Sequence, residues 1–198
     1  MTMNKILRLI IGNTLASFSI ACVIQASFGV FSTTAAITAI SNWTGMTLGV
    51  AGMVIELIML LIAIWKGEGI GWTSICNATY GSLLMDAFLP ILPKSPFMII
   101  GLLLLPFAWA MMGSVGLGEN GANTLMNAIL KHSKLNITVI RGIQEFILLT
   151  IGFLGARDSI TVFTVILVFG LGPLLQIVYK WIGFDPTKVK HNYIIGGK

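Results

Sequence analysis

The chain has 198 residues, of which 56% are hydrophobic and only 10% charged, against about 25% charged in an average soluble domain. A mean hydropathy of +0.94 means more apolar surface than a water-soluble globule of this size can cover, which excludes a soluble domain and a disordered chain, and 2 cysteines exclude a disulfide scaffold. The net charge of +5 reads as loop bias beside a lipid bilayer, with no nucleic-acid partner.

No Asp, Glu, Lys or Arg occurs at 9–55, 69–85, 95–118 or 159–179. A helix needs about 20 residues to cross a hydrocarbon core of about 30 Å, which predicts six spans near 6–28, 47–65, 70–91, 96–117, 136–155 and 160–181. A barrel would need ten-residue alternating segments that the chain lacks. Lys5 and Arg8 ahead of the first span, with Ser19-Ile20-Ala21-Cys22 inside it, resemble a signal peptide, but the apolar run is as long as a span and five more follow. Basic residues fall on alternate sides of six spans. Lys5, Arg8, Lys66, the group Lys131, Lys134 and Arg141, and the tail lysines 180, 188, 190 and 198 share one side, against Lys94 and Arg157 on the other. Ten against two predicts cytoplasmic termini.

The chain also repeats. At an offset of 89, Gly29 meets Gly118, Ala39-Ile40 meets Ala128-Ile129, Val50 meets Val139 and Glu56 meets Glu145; at 91, Thr73 meets Thr164 and Gly81-Ser82-Leu83-Leu84 meets Gly172-Pro173-Leu174-Leu175. The fold class expected is therefore all-α: six transmembrane helices as two inverted three-helix repeats, 1–92 and 93–184, followed by a basic cytoplasmic tail at 185–198. Three spans per half turn the halves over, and inverted halves of this kind place a substrate site between them near the midplane. Each half carries a short helix, about 33–42 and 122–131, either re-entrant or lying at the interface. Ser32, Thr33 and Thr34 in one, and Asn120, Asn123 and Thr124 in the other, are residue types that cap helix starts. If these helices dip into the bilayer, their starts face an anionic or polar ligand.

Gly69-Ile70-Gly71-Trp72-Thr73 running on to Gly81-Ser82-Leu83-Leu84-Met85-Asp86 resembles the conserved segment of the bacterial YczE/YyaS/YitT-type membrane proteins. Gly116-Leu117-Gly118 with Thr124-Leu125-Met126, then Val139-Ile140-Arg141 and Glu145, resemble that family's second-half motif, and Gly172-Pro173-Leu174-Leu175-Gln176 its final helix. The likeness covers about residues 10–183 and is nearest the YczE branch, since the soluble C-terminal domain of YitT-type members is lacking. Two places depart from it: Glu119-Asn120-Gly121-Ala122-Asn123 stands where a Pro-Arg-Asp-like run is expected, and Val30-Phe31-Ser32-Thr33 where a Pro-Trp-Asp-like run is. The resemblance implies a bacterial inner-membrane protein and names no substrate.

Glu56 and Glu145 fall mid-span, where a carboxylate costs at least about 2.5–3.5 kcal/mol on insertion scales, so each should face the interior. They either carry protons or a cationic group, or hydrogen-bond neighbouring helices. Arg141, one turn before Glu145, can neutralise it; Glu56 has no such local partner. Gly45, Gly49, Gly52 and Glu56 share a face of the second span, as expected for close helix packing. Asp86, near the outer end of the third span, is a motif residue with possible ligand contact. Candidate ligand-binding residues are thus Glu56, Glu145, Arg141, Asp86, Ser32, Thr33, Asn120 and Asn123. No catalytic pair, metal motif or cofactor motif occurs, so no enzyme activity, metal or cofactor is expected. His132 reads as a solvated loop residue, and the tail as a strip touching anionic headgroups. The function expected is secondary transport of a small polar solute; the rival is a non-transporting membrane scaffold or accessory factor.

Overall fold

A computed structural model describes residues 3–135, 137–185 and 188–196; Asn136, the expected start of the fifth span, and Lys198, counted in the tail, lie outside them. The described chain is helical: α1 (Met3–Ala26), α2 (Ser32–Thr44), α3 (Leu48–Trp65), α4 (Trp72–Cys76), a π turn (Asn77–Gly81), α5 (Ser82–Phe88), a 3-10 helix (Pro96–Leu103), α6 (Leu105–Ser114), α7 (Gly121–His132), α8 (Ile137–Gly155) and α9 (Val162–Ile182). Three helices, Met3–Ala26, Leu48–Trp65 and Thr138–Gly155, are long and apolar enough to cross a membrane. Val162–Gly170 and Pro173–Ile182 make a fourth if the bent pair is one span; the bend is 42° and sits where Pro173 removes a helix hydrogen bond. The outward residues of these helices are large and apolar, including Leu61 and Trp65 on α3, Phe146 and Leu154 on α8 and Phe169 on α9, a surface suited to lipid rather than to water.

Small residues bring the helices together. Ala35 and Ala39 on α2 are fully buried against Gly152 and Gly155 of α8, where an added Cβ would fall 2.6 Å from each alanine methyl. Gly12 of α1 packs on Ala108 and Met112 of α6, and Gly101, 89 residues on, packs on Ser19 and Cys22 of α1. The short helices exchange partners in the same way: α2 lies along α8 and α7 along α3.

The glycines at 45, 49 and 52 do not form one packing face. Gly45 lies outside α3 and ends α2 in the left-handed region at φ 73°. Gly49 presses on Ser82 O, which a Cβ would meet at 2.2 Å. Gly52 faces a cavity. The tail also departs from the surface strip expected of it. Ile70 N–H donates to Ile195 O at 2.8 Å, Ile194 N–H to Ile70 O at 2.7 Å and Asn192 N–H to Gly116 O at 2.8 Å, because the loop backbones at 70 and 116 have groups to satisfy.

Candidate functional site

Between the helices lies a cavity of about 730 Å3. Ser32 and Thr33 reach it from the start of α2, Glu56 from α3, Asn120 and Asn123 from the start of α7, and Arg141 and Glu145 from α8. Seven of the eight residues named from the sequence therefore share one chamber. Asp86 does not: its carboxylate accepts from Thr47 Oγ1 and, at 2.6 Å, from the Gly49 N–H, so it ties α5 to the start of α3, where a negative charge is favoured.

Each short helix starts against a glutamate of the other half. The Gly121 N–H, first in α7, donates to Glu56 Oε2 at 2.7 Å. The Ser32 hydroxyl, first in α2, donates to Glu145 Oε2. Ser32 and Gly121 are 89 residues apart, as are Glu56 and Glu145. The glycines before the short helices exchange contacts as well. Gly118, φ +90°, abuts Gly71 and Ser74 at the start of α4, and Gly29, φ +138°, abuts Thr161 and Thr164 at the start of α9. Leu117 O accepts from the Thr73 N–H at 2.8 Å, and Phe28 O from the Thr161 hydroxyl.

Helix capping follows the sequence in one half only. Asn120 Oδ1 accepts from the Asn123 N–H at 2.9 Å, as its residue type predicts. At α2 the N-cap is Phe31 with no side-chain bond; Ser32 is already inside the helix and spends its hydroxyl on Glu145, while Thr33 and Thr34 give no N-terminal cap.

Charges in the chamber are unequally paired. Arg141 Nη2 sits 2.8 Å from Glu145 Oε1, and its Nη1 donates to Asn123 Oδ1 at 3.4 Å. Glu56 has the Gly121 N–H and the Asn77 side chain beside it but no cation. Glu119 also lines the chamber, accepting from Asn127 Nδ2 at 3.1 Å with His191 Nε2 of the returning tail at 3.6 Å. Burial pushes the Glu119 carboxyl above its ordinary value, and His191 pulls it partly back.

Asn77, Glu119, Asn127 and His191 line the chamber as well, and loop and span assignment does not single them out. Asn77 carried a signal, being an amide inside an uncharged run. The π turn at Asn77–Gly81 then gives it an inward position, as π turns often do at functional sites. Glu119 lies in a connection between helices, as does Glu68, which is buried with Lys131 Nζ at 2.7 Å.

Neither a curated protein nor a solved structure matches the chain. A family model described as a family of unknown function, DUF6198, matches residues 3–180, nearly the whole chain, and the protein belongs to that family.

Proposed function

We propose that the protein is a secondary transporter of small polar solutes in a bacterial inner membrane, related to the YczE-type proteins. In this reading it crosses six times as two inverted halves, with both termini cytoplasmic. The exchanged contacts at an offset of 89 support the inverted halves. Span length supports the count: a 3-10 helix rises about 2.0 Å per residue, so Pro96–Leu103 followed by Leu105–Ser114 reaches about the 30 Å of a hydrocarbon core. The ten-to-two distribution of basic residues supports the orientation.

One observation carries the functional reading: a chamber of about 730 Å3 lined from both halves, with Glu56, Glu119, Glu145, Arg141 and several amides set in a largely apolar wall. A membrane scaffold has no use for such a chamber and gains stability by filling it with apolar side chains. The test is a solute-dependent thermal-shift screen on purified protein, since a ligand of the native state raises its unfolding temperature by mass action. A polar solute that stabilises the protein, and loses that effect in Glu56→Gln, is the expected result. A broad screen without a hit refutes transport in favour of the scaffold.

A further inference from the structure

The chamber's chemistry selects a class of ligand, an inference that rests on the reading that the chamber binds a solute. Among the described residues lining it, the acids and the strong bases are Glu56, Glu119, Glu145 and Arg141. Arg141 is consumed by Glu145 at 2.8 Å. Two carboxylates remain, with His191 and Tyr179 as the other titratable groups in the wall. An anionic solute finds no open cation there. The helix starts that could have held one are occupied by the chain's own acids, Glu56 on the Gly121 N–H at 2.7 Å and Glu145 on the Ser32 hydroxyl. This reverses the anionic alternative that capping residues alone suggested.

Behind the wall beside Glu56 lies a buried oxygen acceptor that lacks a donor. Gly81, in the π turn, is closely surrounded by oxygens: an added Cβ would stand 3.1 Å from Asn13 Oδ1, 3.5 Å from Ser17 Oγ and 3.7 Å from Asn77 Oδ1. Asn13 is wholly buried. Its Nδ2 donates to Leu9 O at 3.0 Å, which fixes the amide's orientation, and its Oδ1 has no hydrogen-bond partner among the described residues. A buried acceptor left unpaired is costly, about 1–3 kcal/mol, and this one lies behind Ser17 and Gly81, which line the chamber. Asn77, also in the lining, hydrogen-bonds Glu56. Farther along the same wall lie Phe31 and Trp109, apolar and aromatic surfaces that suit a hydrocarbon body or the face of a cation.

We propose that the chamber binds a small ammonium compound with N–H donors, its head held by Glu56 and the Asn77 amide and its apolar body lying toward Phe31 and Trp109. An ionised Glu56 draws the cation in and, with the Asn77 oxygen, accepts from its N–H donors. A quaternary ammonium meets the charge but offers no N–H, so it binds more weakly.

The experiment compares solutes of one shape. Benzylammonium, benzyltrimethylammonium, benzyl alcohol and benzoate are titrated against the purified protein at constant ionic strength in potassium chloride, with sodium chloride as a separate arm. Binding is read by thermal shift and calorimetry. Benzylammonium is expected to bind at least about tenfold more tightly than the other three, and to weaken about tenfold or more in Glu56→Gln. Gly81→Ala, which adds a methyl to the chamber wall beside Asn77 without touching a charge, gives a second route to the same loss if Glu56→Gln does not fold. Binding of benzyl alcohol or benzoate in place of the cation overturns the ammonium assignment and leaves the chamber a solute site. Stabilisation by sodium alone, or benzylammonium binding unchanged in both variants, overturns it as well. No binding by any of these compounds overturns the assignment; no hit in the broad screen overturns the transport reading beneath it.

Discussion

Two glutamates hold matching places, Glu56 on α3 and Glu145 on α8, and each meets the start of a short helix from the other half. Their surroundings differ at one position. Glu145 has Arg141 one turn before it, at 2.8 Å; the residue 89 before Arg141 is Gly52, so Glu56 has no side chain where its counterpart has a guanidinium. One carboxylate is paired within its own helix. The other lines the chamber with no countercharge beside it among the described residues. The contact with a short helix thus recurs at both glutamates, and the ion pair at only one.

The largest expected effects come from the glycines that let the halves meet. Gly118→Ala places a Cβ 2.8 Å from Gly71 N and 2.9 Å from Gly71 Cα in a backbone at φ +90°, where neither rigid neighbour can yield. Strain and overpacking together predict a loss of about 3 kcal/mol or more. In a chain of this size that lowers the apparent unfolding midpoint by about 6–12 °C. Gly29→Ala, at the matching position, first meets the Thr161 and Thr164 hydroxyls, which can rotate, and should cost less. Equal losses would mean that the two junctions are not built differently.

Arg141→Met comes next. It strands Glu145 without a countercharge, and because the arginine side chain is 35% exposed the loss is reduced from that of a fully buried pair to about 1–3 kcal/mol. The double variant Arg141→Met with Glu145→Gln should recover most of it in a mutant cycle. No recovery would show that Arg141 stabilises through Asn123 rather than through Glu145.

A third contrast concerns pH. The Glu119 carboxyl is held above its ordinary value by burial, so the folded state prefers it protonated. That contribution is present in full below the ordinary carboxylate range of about 4.3 and is lost as pH rises through the raised value. The unfolding midpoint should fall across this window, and less steeply in Glu119→Gln. The titratable groups around Glu119 are His191, Glu68, Tyr179 and Tyr193, and Asn127 donates to it. His191→Gln therefore separates the histidine's own titration. A slope unchanged in Glu119→Gln would assign the pH dependence elsewhere.

Much of the helix layout was legible because it is local. The uncharged runs mark the long helices to within a few residues, and the expected 33–42 and 122–131 became Ser32–Thr44 and Gly121–His132. The offset of 89 put Glu56 and Glu145 in register before any contact was known. What the sequence hid is set by distance along the chain. Glu56 meets Gly121 across 65 residues and Ser32 meets Glu145 across 113, and hydropathy carries no record of such pairing. The π turn that places Asn77 has no periodic signature of its own. Glu119 and Glu68 look solvated in sequence because loops usually are, yet the returning tail covers them with His191 and Gly196. Asp86 stands in a motif, and its role is to hold the start of α3.

The smallest effect is expected where the halves differ most. An added Cβ at Gly52 would stand 3.3 Å from Ile37 Cδ1, 3.6 Å from Ser82 Oγ and 3.8 Å from Met85 Cε, all ends of side chains that can shift by a few tenths of an ångström. Replacing a helical glycine with alanine also gains about 0.8–1.0 kcal/mol of helix propensity. The two effects nearly cancel, so Gly52→Ala should change stability by less than about 0.5 kcal/mol, or about 1–2 °C in the midpoint. Gly49→Ala, one turn earlier on the same helix, puts a Cβ 2.2 Å from Ser82 O and 2.5 Å from Asp86 Oδ2 and should be plainly destabilising. If both variants lose stability alike, Gly52 serves helix packing and the open space beside Glu56 closes. If Gly52→Ala is neutral, that glycine is not needed for the fold, and the vacancy opposite Arg141 belongs to the chamber.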